Sequence, residues 1–263
     1  MEKRQTWFLF FDLDGTLAQN DCPPSPGTVR ALRSARAAGH KVFLCTGRVK
    51  CDIYKEIWDI GFDGAICGAG THIYTPKRRI LCETIPLLLL RQAVEVMRTY
   101  HITGVLAGVH RLYIVPGEKR LPWRMQPVCS GRELSKTMEI QFFTMHLTGR
   151  TQFEAVRSAL NGIFECYPNA DFTFCEFVLK GYDKCAGMRR MLKSFGWSEE
   201  CTLAVGDSLN DYDLLRAAHW GVAMGQAQQA LKGVADYVTE PFELDGAARA
   251  VEYFLRCRQK ETG

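Results

Sequence analysis

The segment FLFFDLDGTL, residues 8–17, places Asp12 and Asp14 at the end of an apolar run. An unpaired carboxylate is costly to bury, so two of them at this position indicate a chemical role. Residues i and i+2 of an extended chain point the same way, and both carboxylates can therefore face one substrate. One carboxylate could attack phosphorus and form an aspartyl-phosphate. The other could protonate the leaving oxygen and then deprotonate the hydrolytic water.

A second acidic segment, GDSLND at residues 206–211, follows the apolar run TLAV and supplies Asp207, Asn210 and Asp211. Three or four carboxylates that meet at one point repel each other unless a hard cation lies between them. Oxygen ligands without His or Cys favour Mg²⁺ over zinc. Because Mg²⁺ usually binds one or two carboxylates together with a substrate phosphate, the two segments predict Mg²⁺ as cofactor and a phosphate ester as substrate.

The remaining polar groups near these segments suit a phosphate. Thr46 in CTGR offers a hydroxyl, and Lys184 offers a point charge at the start of a predicted helix. We prefer Lys184 to Lys180 because Lys184 lies just ahead of the predicted helix AGMRRMLKSF, whereas Lys180 fits a solvated linker. Arg48 either binds phosphate or forms a surface salt bridge, and the sequence leaves that choice open. The predicted substrate-binding residues are Thr46, Gly47, Arg48, Lys184 and Asn210.

A parallel sheet would bring these residues together. The runs TWFLFFD, KVFLCTG, GAIC and TLAVGD are apolar throughout and alternate with helical patterns, which is typical of parallel strands covered on both faces. The first helix is predicted from Ser25 as cap and Pro26 in its first turn, and VKCDIYKEIWDIG, residues 49–61, is predicted as a second helix. Ligands of such sheets bind outside the carboxyl ends of the strands. We therefore predict an α/β, Rossmann-like core.

The middle of the chain has a different pattern, with more strands that look antiparallel. A helix is predicted in PLLLLRQAVEVMRTY, and another in TQFEAVRSALNGIF with Thr151 and Glu154 as a capping box. We predict an inserted α+β cap domain at residues 84–181, and a discontinuous catalytic core at 1–83 and 182–263.

Composition excludes several classes of protein. The 263 residues are 47% hydrophobic and 24% charged, as in ordinary globular domains, and a net charge of +4 is too mild to indicate nucleic acid. The 11 cysteines include no Cys-x-x-Cys pair, so we expect buried free thiols in a reducing compartment. The apolar stretch near the N-terminus does not fit a signal peptide, and the LLLL run is too short to cross a bilayer. We expect a soluble, cytoplasmic monomer or weak homodimer that binds neither nucleic acid nor membranes.

Taken together and in this order, the motifs resemble those of the haloacid dehalogenase superfamily of phosphohydrolases. The resemblance implies that Asp12 of DLDGT is the nucleophile and Asp14 the acid/base. Thr46 of CTGR matches the second motif, Lys184 of GYDKCAG the third, and GDSLND, with Asp207, the fourth.

The resemblance also implies a subgroup and a metal site. An insert between the second and third motifs resembles the larger cap of the Cof-type sugar phosphatases, and the likeness covers about residues 7–72 and 181–256. The implied activity is Mg²⁺-dependent hydrolysis of a small phosphorylated metabolite, most simply a sugar phosphate. The implied metal site consists of Asp12, Asp14 through its backbone carbonyl, Asp207 and Asp211, the last orienting a water of the metal or holding Lys184.

One departure from the family pattern concerns the segment after the third core strand. The family often has Asn-Gly-Ala there, whereas this chain has Cys67-Gly68-Ala69. The side-chain contact of that Asn would be missing, so we expect a difference in substrate preference and none in the core reaction.

Three other functions fit parts of the pattern. A phosphotransferase or phosphomutase would use the same aspartyl-phosphate and pass it to a second substrate. A receiver-like signalling protein also gathers acidic residues, a Thr and a Lys on a parallel sheet, but it lacks an inserted lid of about a hundred residues and an acid/base two residues after the phosphorylated Asp. A non-catalytic phosphate-binding protein would have lost catalytic positions, and every one is filled here.

Overall fold

The computed structural model describes residues 5–19, 22–120 and 125–261. Within these residues the strands are β1 Phe8–Phe11, β2 Lys41–Cys45, β3 Gly64–Cys67, β4 His72–Thr75, β5 Arg78–Cys82, β6 Thr103–Gly108, β7 Leu112–Val115, β8 Gln126–Pro127, β9 Ile140–His146, β10 Phe164–Pro168, β11 Phe174–Leu179, β12 Thr202–Gly206, β13 Trp220–Ala223 and β14 Tyr237–Val238. The α-helices are α1 Pro26–Ala37, α2 Lys55–Trp58, α3 Leu87–Thr99, α4 Arg150–Ala159, α5 Lys184–Phe195, α6 Tyr212–Ala217, α7 Gln229–Lys232 and α8 Gly246–Glu261. No helix in this part of the chain has both the length and the apolar composition needed to cross a bilayer.

The chain divides into two compact units. The first contains residues 1–47, 53–81 and 183–263, and the second contains residues 48–52 and 82–182. The short segment Arg48–Asp52 therefore groups with the second unit.

The first unit is built on a mostly parallel sheet. Its strand order is β14-β13-β12-β1-β2-β3-β4-β5, and the strands from β14 to β3 run parallel to their neighbours. Because all four residues of β1 are buried, this strand lies inside the core, as its apolar sequence predicts. The predicted α/β, Rossmann-like fold is confirmed.

Helix α1 shows how local sequence sets an element. Ser25 Oγ accepts a hydrogen bond from the N–H of Thr28 at 3.0 Å, and Pro26 occupies the first helical position. Both features were expected, since a Ser cap satisfies an N–H that the first turn leaves without a partner. Residues Ala31, Leu32 and Ala35 bury one face of the helix.

The second unit has a six-stranded sheet in the order β10-β11-β9-β6-β7-β8. Its pairs are antiparallel except for β7 with β8. Helices α3 and α4 supply Leu90, Met97 and Phe153 to its hydrophobic cluster, which also contains Phe143 and Phe177 of the sheet. The paired strands expected from the middle of the sequence are present.

Two local predictions are wrong. Residues 49–61 do not form one helix, because Tyr54 is extended and separates a 3₁₀ turn at Lys50–Asp52 from α2. The indole N–H of Trp58 donates to the carbonyl of Ile53 at 3.2 Å, and a side chain that takes a backbone acceptor competes with the helix.

The predicted capping box of α4 is also wrong. The helix begins at Arg150 after Gly149, so that Thr151 lies inside the first turn rather than at the cap. Gln152 Oε1 instead accepts from the N–H of Thr148 at 2.8 Å. The side chain that bonds to the backbone before the helix is therefore that of Gln152 and not that of Glu154.

Candidate active site

The two acidic segments meet because their strands are neighbours. Strand β1 pairs with β12 in parallel, with Phe11 opposite Val205, and the N–H of Asp12 donates to the carbonyl of Val205 at 3.0 Å. Asp12 and Asp207 therefore lie at the same edge of the sheet, each directly after its strand. One ligand oxygen from each of Asp12, Asp207 and Asp211 lies within 4.8 Å of the others.

Lys184 is the cation of this cluster. Its Nζ lies 2.6 Å from Asp12 Oδ1, 2.6 Å from Asp211 Oδ1 and 3.0 Å from Asn210 Oδ1. Burial would by itself lower the pKa of Lys184, but the Asp12 and Asp211 carboxylates outweigh burial and raise it. The ammonium therefore stays protonated and holds two carboxylates and one amide at fixed positions.

The first turn of α5 positions Lys184. Asp183 caps the helix, since its Oδ1 accepts from the N–H of Ala186 at 2.7 Å. Gly70 packs directly against this cap: it has φ +92°, and a Cβ built on it would lie 2.2 Å from the carbonyl oxygen of Asp183. Only glycine permits that approach, so the loop after β3 sets where α5 begins.

Asp211 ties the loop of GDSLND together. Its Oδ2 accepts from the N–H groups of Asp207 and Ser208, both at 3.2 Å, while its Oδ1 accepts from Lys184. The side chain is fully buried. Asp211 thus links the backbone that carries Asp207 to the ammonium that holds Asp12.

The charges of the cluster do not balance. Burial, followed by the charge of Asp211, raises the pKa of Asp12 well above its usual range and the pKa of Asp207 to about 6. The cluster has three carboxylates, and Lys184 contacts two of them, Asp12 and Asp211, so a further positive charge is needed if all three are to be ionised. Among the described residues no donor reaches the buried Oδ1 of Asp207.

These observations fit a divalent metal ion. The donor set contains only oxygen, as Mg²⁺ prefers, and an unpartnered buried carboxylate oxygen is the group that an ion would satisfy. Gly15 packs closely against the same carboxylate. Gly15 has φ +81°, and a Cβ built on this residue would lie 2.1 Å from Asp207 Oδ2. A side chain at Gly15 would therefore displace the carboxylate.

The other predicted residues are placed differently. Asp14 is exposed on the loop after β1, and its charge contributes to the raised pKa of Asp207. Thr46 is fully buried, its N–H donates to the carbonyl of Ile66 at 2.8 Å, and Gly47 follows it at the end of the first unit's segment. Asn210 Oδ1 accepts from Lys184 and from Ser208 Oγ at 2.8 Å, so the amide oxygen serves to hold Lys184.

Arg48 lies in the second unit. Its Nη1 donates to the carbonyl of Asp52 at 3.3 Å and lies 3.9 Å from Asp52 Oδ2. The salt bridge that the sequence left open is present. Phosphate binding by Arg48 stays a prediction.

Sequence reasoning did not single out two contacts of the site. One is the close approach of Gly15 to Asp207, for which the Asp-x-Asp-Gly pattern was a signal. The other is Gln226, whose Nε2 donates to the carbonyl of Gly15 at 2.5 Å. No local pattern around Gln226 predicts a contact that is 211 residues distant along the chain.

Sequence comparison relates the chain to a family of known hydrolases. A family model described as haloacid dehalogenase-like hydrolase matches residues 9–251. The chain is 26% identical over 277 residues to the pyridoxal phosphate phosphatase YbhA of Escherichia coli, covering 94% of this chain and 97% of that protein. It is likewise 26% identical over 266 residues to the 5-amino-6-(5-phospho-D-ribitylamino)uracil phosphatase YitU of Bacillus subtilis, with the same coverage.

A solved structure gives the same result. The HAD subclass IIB sugar phosphatase BT4131 superposes with a TM-score of 0.82 at 27% identity, covering 95% of this chain and 99% of that one. These relatives are named as phosphatases, and the match extends over both units of the chain.

Proposed function

Since the chain belongs to the haloacid dehalogenase-like hydrolases and is a phosphoric monoester hydrolase, we propose that it uses Mg²⁺ and an aspartyl-phosphate to hydrolyse a small phosphorylated metabolite. The observation that carries the proposal is the meeting of Asp12, Asp207 and Asp211 within 4.8 Å at the carboxyl ends of neighbouring parallel strands. Bound there by Asp12, Asp207 and the backbone carbonyl of Asp14, Mg²⁺ would supply positive charge that offsets the carboxylates and the substrate phosphate.

Asp12 is the proposed nucleophile. One of its oxygens attacks phosphorus, the bond from phosphorus to the ester oxygen breaks, and an aspartyl-phosphate forms. Lys184 holds Asp12 Oδ1 at 2.6 Å, so the carboxylate cannot rotate away from the line of attack. Asp211 in turn holds Lys184.

Asp14 is the proposed acid and base. It gives a proton to the ester oxygen as the alcohol leaves, and it then removes a proton from the water that attacks the phosphorus of the aspartyl-phosphate. Phosphate leaves and Asp12 is restored. An exposed position beside Asp12 suits this role, because Asp14 must exchange protons with both the alcohol and water. We propose Thr46, Gly47 and Asn210 as further groups around the phosphate.

The relatives support a small, polar substrate. YbhA acts on pyridoxal phosphate and YitU on a phosphoribitylamino uracil, while BT4131 is a sugar phosphatase. All three are phosphomonoesters of small polar molecules. We propose a sugar phosphate or similar ester as substrate, with the first unit as the catalytic core and the second as a cap that sets specificity and excludes water.

A reducing, cytoplasmic location is also proposed. All 11 cysteines are free thiols, and several of them, such as Cys45 and Cys67, are buried in the core. Core thiols of this kind suit a compartment in which disulfides are not formed.

A phosphate-release screen tests the proposal. Sugar phosphates, pyridoxal phosphate and nucleotides are each supplied with and without Mg²⁺, and both the free phosphate and the alcohol product are measured. Equal amounts of phosphate and alcohol are expected, and only with the divalent ion. Phosphate that appears on a second substrate would identify a transferase, and undiminished turnover in EDTA would remove the role of the metal.

A further inference from the structure

The loop after β13 contacts both acidic segments of the first unit. The N–H of Met224 donates to the carbonyl of Gly206 at 2.9 Å, directly before Asp207. The loop then turns, with the N–H of Ala227 donating to the carbonyl of Met224 at 2.9 Å. The backbone of the loop is therefore fixed relative to Asp207.

The side chain of Gln226 extends the same loop to the other acidic segment. Its Nε2 donates to the carbonyl of Gly15 at 2.5 Å, and its Oε1 accepts from the N–H of Phe242 at 3.0 Å. Both ends of the amide are used, so the side chain has one defined orientation. Gln226 is nevertheless exposed.

The position of Gly15 decides where the metal site lies. Gly15 directly follows Asp14, and its Cα is packed against the carboxylate of Asp207. A shift of this backbone changes the distance from Asp12 and Asp14 to Asp207. The contact of Gln226 with Gly15 holds that backbone from the side of the β13 loop.

We propose that Gln226 is a positioning residue that sets the spacing between the Asp12–Asp14 segment and Asp207, and thereby the affinity of the site for a divalent cation. The inference rests on the proposed function and adds a residue to it. Gln226 acts through the carbonyl of Gly15.

Two variants of Gln226 separate its two hydrogen bonds. Gln226→Ala removes both. Gln226→Glu keeps an acceptor for the N–H of Phe242 but places a carboxylate oxygen opposite the carbonyl of Gly15, where a donor is required. Gln228→Ala is the matched control, since Gln228 is an exposed glutamine two residues away whose side chain makes no cap hydrogen bond.

Mg²⁺ binding to the substrate-free protein is measured by titration calorimetry, together with kcat and KM for one hydrolysed ester. We expect Gln226→Ala and Gln226→Glu to weaken Mg²⁺ binding about five- to tenfold, which corresponds to the loss of one hydrogen bond. At saturating Mg²⁺ we expect kcat to fall by a similar factor and KM for the ester to change less than about twofold. Gln228→Ala should match the parent chain in all three quantities.

The outcomes are distinct. Mg²⁺ binding by Gln226→Ala within about twofold of the parent, with thermal unfolding showing a folded protein, overturns the inference. Parental Mg²⁺ binding by Gln226→Glu overturns it as well, because the bond to Phe242 alone would then account for the residue. A parent chain that binds no Mg²⁺ and releases no phosphate instead overturns the proposed function, and the inference with it.

Discussion

The parallel sheet of the first unit has an ion cluster at each end, and the two clusters have opposite charge balance. At the amino end Asp63, directly before β3, accepts from Arg36 Nε at 2.9 Å, from Lys41 Nζ at 3.2 Å and from the N–H of Val42 at 3.1 Å. Two cations thus surround one carboxylate. At the carboxyl end three carboxylates lie together, and Lys184 contacts two of them, Asp12 and Asp211.

The pKa values of the two clusters shift in opposite directions. Burial would raise the pKa of Asp63, but the hydrogen bonds from Arg36, Val42 and Lys41 outweigh burial and lower it. Burial and the charge of Asp211 raise the pKa of both Asp12 and Asp207. The amino-end cluster has more cations than carboxylates, whereas the carboxyl-end cluster has more carboxylates than cations.

Charge balance therefore distinguishes the two ion clusters of the same sheet. Both contain aspartate beside basic residues, and both join segments that are distant along the chain. Among the described residues of the two clusters, the unpartnered oxygen at Asp207 belongs to the one with surplus negative charge, which is where we propose that a cation binds.

The largest expected effect comes from Asp12→Asn. The amide is a poor nucleophile, so phosphate release should fall by at least about 10³-fold. Steady-state phosphate assays measure this, and the thermal unfolding curve shows whether the fold is intact. The matched control is Asp63→Asn, the same substitution at the amino end, which should keep kcat within about twofold of the parent. Parental turnover by Asp12→Asn would show that Asp12 is not the nucleophile.

The second effect concerns stability at the carboxyl end. Lys184→Met leaves the buried carboxylates of Asp12 and Asp211 without their cation and should cost about 3–5 kcal/mol in the free energy of unfolding. Urea denaturation without divalent ions measures it. Lys180→Met removes an exposed lysine four residues earlier and should cost less than about 0.5 kcal/mol. If both variants lose the same amount, Lys184 is not holding charged carboxylates.

The third prediction concerns the effect of Mg²⁺ on the stability of the folded protein. Mg²⁺ at about a hundredfold excess over its dissociation constant should stabilise the protein by about 2.7 kcal/mol, because it binds only the folded site. Thermal unfolding with and without Mg²⁺ measures the shift. Asp207→Asn should lose most of this stabilisation, whereas Asp213→Asn, at an exposed position on α6, should keep it. An equal shift in both variants would place the ion elsewhere.

The sequence predicts the carboxyl-end cluster better than the amino-end one. Asp12 and Asp207 follow apolar strands in motifs that carry a chemical meaning, so type and spacing suffice to name them. Asp63 has no motif, and its partner Arg36 lies at the end of α1, where a basic residue is equally typical of a solvated helix end. Its role follows only from the register of β2 against β3.

Two further features were out of reach of the sequence for different reasons. The break at Tyr54 depends on a side chain to backbone contact that opposes helix propensity, and such local competition has no periodic signal. The grouping of Arg48–Asp52 with the second unit depends on tertiary packing of a five-residue segment, where Val49 is buried and Cys51 Sγ lies 3.4 Å from the carbonyl of Gly108. Segments this short are placed by their contacts and not by their composition.

The smallest expected effect belongs to the amino-end cluster and depends on pH. The folded pKa of Asp63 lies below its ordinary value of 3.8, so its stabilisation is fully present above that value and is lost as the pH falls through the folded pKa. Asp63→Asn should therefore cost about 1–2 kcal/mol at pH 7, the value of hydrogen bonds to a charged group, and much less near pH 3. Urea denaturation of both proteins at the two pH values measures the difference. A cost that stays the same at pH 3 would mean that Asp63 joins β2 to β3 through its packing and not through its charge. The contrast between the two ends of the sheet would then no longer be one of charge.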